Sequence, residues 1–171
     1  GSDVNAAIYY LARMLYAGES VTFIARRIII CASEDVGLAD PQALVVANAA
    51  AQAVHNIGMP EARIVLAQAA AYVAAAPKSN SVYKAIDDAL MYIKNNPFGP
   101  IPAHLQDAHY KGAAKLGHGV DYKYAHDYKN HYVAQQYMPN GMEDISFYYP
   151  TENGYERDIK EHLERIRKEA E

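Results

Sequence analysis

The stretch from Phe23 to Pro41 leaves the chain few architectures to choose from. Val21, Ile24, Ile28, Cys31 and Ala32 recur at helical spacing, while Phe23, Arg27 and Ile30 form a second, mixed face. A helix that is apolar over more than half its girth needs neighbours on two sides, which places it in the middle of a bundle. Its end is explicit: Gly37 suits the left-handed conformation after a last turn, and Asp40-Pro41 supplies an N-cap and a first helical residue for the next helix.

The flanking segments repeat this grammar. Asp3 caps a helix with Ala7, Ile8, Leu11, Met14 and Leu15 on one face, stopping at Ala17-Gly18, and Ser20 caps the central helix. A third helix runs from Asp40-Pro41 to about Ile57, and Met59-Pro60-Glu61 opens a fourth that ends before Pro77. Both are rich in alanine, so they are expected to pack as a tight antiparallel pair. Alanine walls offer little polar chemistry, and no cofactor cavity is expected in this half. Pro77-Lys78-Ser79-Asn80-Ser81 then provides two N-cap candidates for a fifth helix, whose expected buried face is Val82, Ile86, Ala89, Leu90 and Ile93. Lys78 beside that helix start makes it a candidate anion site.

Three prolines between Asn95 and Pro102 mark the strongest boundary, dividing a helical core at 1–96 from a segment at 97–171 expected to pack on the same domain. Beyond it, Ala103 to Leu116 reads as one more helix, Gly117 to Tyr149 as an ordered loop-rich segment with a short strand at Ile145 to Tyr149, and Thr151 as the cap of a last helix with Tyr155, Ile159, Leu163 and Ile166 on one face. The expected class is all-α.

At 171 residues the chain suits one core. The net charge of -4 argues against wholesale nucleic-acid binding, although residues 78–139 alone are basic, with 7 cationic against 5 anionic side chains. A single cysteine, Cys31, excludes an intramolecular disulfide and fits a reducing compartment. No apolar run is long enough to span a bilayer, there is no signal-peptide pattern, and the reading is a soluble intracellular protein. The start at Gly-Ser-Asp without Met reads as an excised segment of something longer.

Chemistry is sparse. Neither a Gly-x-x-x-x-Gly-Lys-Ser/Thr nor a Gly-x-Gly-x-x-Gly stretch is present, so ATP binding by this segment alone is not expected, and no nucleophile elbow marks a hydrolase. His104, His109, His118, His126 and His131 cluster with Asp107, Asp121 and Asp127, which raises a metal-dependent hydrolase as a remote alternative, but no His-x-x-x-His or Glu-x-x-His pair places two ligands on one helical face. Tyr122, Tyr124 and neighbouring tyrosines interleave with Lys111, Lys115 and Lys123, a composition shared by single-strand-binding surfaces and protein interfaces. The interspersed aspartates favour the interface.

Several long motifs then resemble one family. Ala7-Ile8-Tyr9-Tyr10-Leu11-Ala12-Arg13-Met14-Leu15, Ala32-Ser33-Glu34-Asp35-Val36-Gly37-Leu38-Ala39-Asp40-Pro41-Gln42-Ala43, Ala76-Pro77-Lys78-Ser79-Asn80-Ser81-Val82-Tyr83-Lys84-Ala85 and Gly119-Val120-Asp121-Tyr122-Lys123-Tyr124-Ala125-His126-Asp127 are similar to the C-terminal part of the RarA/MgsA ATPases, clamp-loader relatives that include the Werner-helicase-interacting ATPase. The resemblance implies a helical domain similar to clamp-loader collars, a homotetramer, and an upstream AAA+ module that holds ATP and Mg. It also implies DNA-dependent ATPase activity at stalled replication forks, with roles in replication, recombination and repair, DNA contact through the full-length protein, replication partners such as single-strand-binding protein, and a cytoplasmic, nucleoid-associated location. It carries over no catalytic, cofactor or metal residue to this segment. Arg26, Arg27, Lys78, Ser79, Asn80, Lys84, Lys111, Lys115, Tyr122, Lys123, Tyr124 and His126 are the candidate interface or DNA-facing residues. The expected function is a non-catalytic oligomerisation domain of an AAA+ ATPase, with a single-stranded DNA-binding or partner-docking module as the alternative.

Overall fold

The computed structural model describes residues 1–97, 99–107, 109 and 113–169. Six α-helices are present among the described residues, α1 (Val4–Tyr16), α2 (Val21–Cys31), α3 (Gln42–Ile57), α4 (Ala62–Ala75), α5 (Ser81–Asn95) and α6 (Tyr155–Lys168). No strand occurs among the described residues, and the fold is all-α. Two compact units divide the chain: Gly1–Ile86 with Tyr148–Lys160, and Asp87–Phe147 with Glu161–Glu171.

In the first unit the caps behave as their residue types dictate. The Asp3 carboxylate accepts from the Ala6 amide at 2.9 Å, and the Ser20 hydroxyl accepts from the Phe23 amide at 3.3 Å. Ser20→Ala should cost about 1 kcal/mol in urea unfolding, the usual effect of an N-cap deletion.

α2 joins two apolar clusters. Ile24 and Ala25 belong to one with Leu11, Val54, Ala62 and Leu66, whereas Ile28 also packs on a second one formed by Ala32, Val36, Ala43, Ala47, Val73 and Ala76. Its principal neighbours are α3 and α4, which pack most extensively on each other and whose buried residues include Ala43, Ala47, Ala50, Ala62 and Ala69. Side chains of one carbon let these helices approach closely enough to exclude water from the seam.

The end of α2 widens into a π turn, Ala32–Val36, before Gly37 at φ 52°. A Cβ on Gly37 would lie 2.7 Å from the Ser79 carbonyl oxygen, so the position requires glycine for both conformation and space. The Asp35 carbonyl accepts from the Ser79 amide at 2.9 Å, tying this turn to the connector between α4 and α5.

The second unit is mostly irregular backbone with 3-10 turns at Ala103–Leu105, Ala113–Leu116, Ala125–Asp127 and Lys129–His131. Tyr92 meets Phe147 edge-on at 5.8 Å, His104 bonds the Gln136 carbonyl at 2.8 Å, and the Asn130 amide donates to Glu169 at 2.5 Å.

Four expectations are corrected. Ala103 to Leu116 is not one helix, because Gln106 is extended (ψ 149°) directly after the first 3-10 turn. Ile145 to Tyr149 is not a strand; among the described residues there is no second strand to complete a ladder, and Phe147 packs on a helix instead. The α5 face expected to be buried is open, with Ile86 54% and Leu90 58% exposed. On α6 the inward position belongs to Glu156 rather than Tyr155, which is exposed.

Candidate interface surfaces and the Glu156 anchor

Glu156 is fully buried at the first turn of α6, a position that no hydrophobic pattern marks. Its position follows from spacing: residues 156, 159, 163 and 166 share a helical face, so a carboxylate heads an otherwise apolar row. Five donors converge on it. The hydroxyls of Ser79, Ser81, Thr151 and Tyr148 donate to its two oxygens, as does the Thr151 amide at 3.0 Å. Burial pushes the carboxyl upward, but the bonds from Ser79, Ser81 and Thr151 outweigh it and bring the pKa down to about 2. The Tyr148 phenol moves the other way, to about 12, through burial and the adjacent carboxylate. Among the described residues no buried side-chain nitrogen or oxygen lacks a partner.

This carboxylate stitches the 148–156 segment to the connector that opens α5. Ser79 serves both sides, donating to Glu156 while accepting from the Ser81 amide at 3.3 Å. Asn153 adds a bond to the Lys78 carbonyl at 2.9 Å. The arrangement is structural: a carboxylate held fully ionised and enclosed by donors has no free lone pair for acid–base work.

Beside this anchor lies a groove of about 780 Å³, in the half of the chain where the alanine-rich sequence predicts no cofactor cavity. Its floor is apolar, from Leu11, Ile24 and Val73, and its rim carries Arg27, Lys78 and Asn80 together with Asp3 and Asp35. Four of the candidate residues, Arg27, Lys78, Ser79 and Asn80, therefore meet at one place. Lys78 is committed there: its ammonium binds the carbonyls of Ala74 (3.1 Å) and Ala76, at the C-terminal end of α4. Its ammonium is thus directed at the end of α4. Cys31 lines the same groove as a thiol raised to about 11 by burial and by its hydrogen bond to Asp35.

The other candidates are scattered. Arg26 is exposed and sits over the Phe23 ring at 5.5 Å. Lys84 and Lys115 are exposed, and Lys111 lies outside the described residues. In the second unit, the Gln135 side chain clamps Lys123 through its backbone amide (3.2 Å) and carbonyl (2.9 Å), and the Lys123 ammonium reaches the Ala134 carbonyl at 3.3 Å. Tyr122 and Tyr124 stand outward, 49% and 54% exposed, with Tyr124 against His126 at 5.1 Å and His126 against His131 at 4.9 Å. Among the described residues no three His, Cys, Asp or Glu side chains converge as metal ligands.

Comparison with known proteins agrees with the motifs. Residues 1–167 match the family described as MgsA AAA+ ATPase C terminal. The chain is 55% identical over 167 residues to an uncharacterized AAA domain-containing protein of Mycobacterium tuberculosis, covering 98% of this chain and 37% of that protein. It is 47% identical over 169 residues to the replication-associated recombination protein A of Bacillus subtilis, covering 98% and 40% respectively. ATPase WRNIP1 of Dictyostelium discoideum is 41% identical over 149 residues, 86% of this chain and 17% of that protein. The chain thus spans about two fifths of the length of the first two relatives. From its first described helix to its last, this chain belongs to the C-terminal family of the MgsA AAA+ ATPases.

Proposed function

We propose that this segment is a non-catalytic oligomerisation domain that gathers AAA+ ATPase modules into one assembly, a homotetramer, acting on DNA in replication-associated recombination and repair. The observation that carries this reading is the open apolar face of α5, where Val82, Ile86, Leu90 and Ile93 are each at least 41% exposed. A row of aliphatic side chains of that extent on water is the mark of a surface that is covered in use. ATP and Mg belong, in this reading, to a module outside these residues, and the assembly raises the local concentration of several such modules on one DNA. The cytoplasm and the nucleoid are the matching location. No helix among the described residues is long and apolar enough to cross a membrane.

The alternative, a single-strand-binding module that contacts DNA itself, has less support. Lys78 and Lys123 are engaged with backbone carbonyls, which leaves fewer free cations for phosphates than the sequence offers. Fusion of the chain to a monomeric carrier protein tests the reading. The fusion is expected to sediment at about four times its monomer mass; a carrier that stays monomeric at tens of micromolar contradicts the proposal, and salt-sensitive binding of oligonucleotides by that monomer would move the alternative forward.

A further inference from the structure

Assembly of several copies does not by itself say which surface joins them, and assigning that surface rests on the oligomerisation reading. We propose that α5 pairs antiparallel with α5 of a second copy about a two-fold axis, with Asp87 of each helix against Lys94 of the other. Val82, Ile86, Leu90 and Ile93 are 41%, 54%, 58% and 51% exposed and, at helical spacing, form one stripe without a charge in it. α5 takes part in none of the principal helix–helix packings, which engage α1 to α4. An uncharged stripe of this kind fits a second apolar stripe better than a polyanion, and Lys84 points from the opposite side of the helix.

The edges of the stripe choose the orientation. Asp87 and Lys94 are seven residues apart, two helical turns, and so lie on the same edge. In an antiparallel two-fold pair, like edges meet with their order reversed, and each carboxylate faces the other copy's ammonium. A parallel pair would set that edge against Ala85 and Tyr92, which carry no charge, and Tyr92 is already packed on Phe147. The same axis puts the two Leu90 side chains at the crossing and each Ile86 near Ile93 of the other copy. An isologous contact joins two copies, so a tetramer built with it is a pair of such dimers.

The test is the solution mass of the 171-residue chain and its variants over a dilution series, with helicity followed by circular dichroism. Leu90→Glu with Ile93→Glu, both exposed positions, should lower the assembly mass at least twofold while helicity is retained. Asp87→Lys alone and Lys94→Asp alone should each raise the dissociation midpoint about tenfold, and the two together should restore it. A wild-type assembly whose mass persists in the Leu90/Ile93 variant overturns the assignment to α5 and leaves the oligomerisation reading intact. A double charge exchange as weak as the single changes overturns the antiparallel register. A wild-type chain that never assembles overturns the underlying reading itself.

Discussion

Replacing Glu156 with Leu is expected to destabilise the chain by about 4 kcal/mol in urea unfolding at neutral pH and fixed protein concentration, because it leaves buried donors facing an apolar side chain. The hydroxyls of Ser79, Ser81, Thr151 and Tyr148 and the Thr151 amide all lose their acceptor at once. Glu156→Gln keeps the shape and removes the charge. The carboxyl lies at about 2 in place of its ordinary 4.5, which corresponds to about 3 kcal/mol held by the ionised form. Since the folded value is the lower one, this stability is fully present above pH 4.5 and is lost as pH falls toward 2. Wild type should therefore lose stability steeply across that window and Glu156→Gln much less so. Equal acid profiles for the two proteins would mean that the carboxylate does not anchor the 148–156 segment.

Gly154→Ala should be nearly as damaging, at about 3 kcal/mol, through backbone contact and not through chemistry. A Cβ there would stand 2.1 Å from the Ala39 carbonyl oxygen and 2.8 Å from Pro77, at φ +55°. The segment before α6 would have to lift away from both neighbours, drawing Glu156 out of its ring of donors. Gly18 is the control: it also has positive φ, +78°, but nothing lies within 4 Å of its Cβ. Gly18→Ala should cost only the conformational part, about 1 kcal/mol. Similar losses at the two glycines, read from the same unfolding curves, would count against the close seating of the 151–156 segment.

The legible and illegible parts of this chain separate on physical lines. Asp3, Ser20, Gly37 and Asp40-Pro41 announce helix ends because capping and left-handed backbone are local properties of one or two residues; α1, α2 and α3 begin at or next to the first, second and fourth of them, and the helical run of α2 stops at the third. The apolar stripe of α2 is likewise readable, since Ile24 and Ile28 meet the two apolar clusters, but the expected second face is not buried: Phe23 and Arg27 are exposed. Periodicity also marks the face of α5 as apolar, but it does not show that the same chain buries that face, and Ile86 and Leu90 stand exposed. Glu156 escapes such a reading because its five donors come from residues 5 to 77 positions away, and a charged residue in a first helical turn looks like ordinary dipole compensation. Among the candidate cations, Arg27 and Lys78 stand out in the sequence, yet their meeting in one groove depends on how α2 packs against the end of α4.

Whether these residues assemble by themselves is decided by light scattering on the isolated 171-residue chain through a dilution series. The expected result is a stable mass of about four chains that steps down through two as concentration falls. A single-chain mass maintained at high concentration would contradict the oligomerisation role.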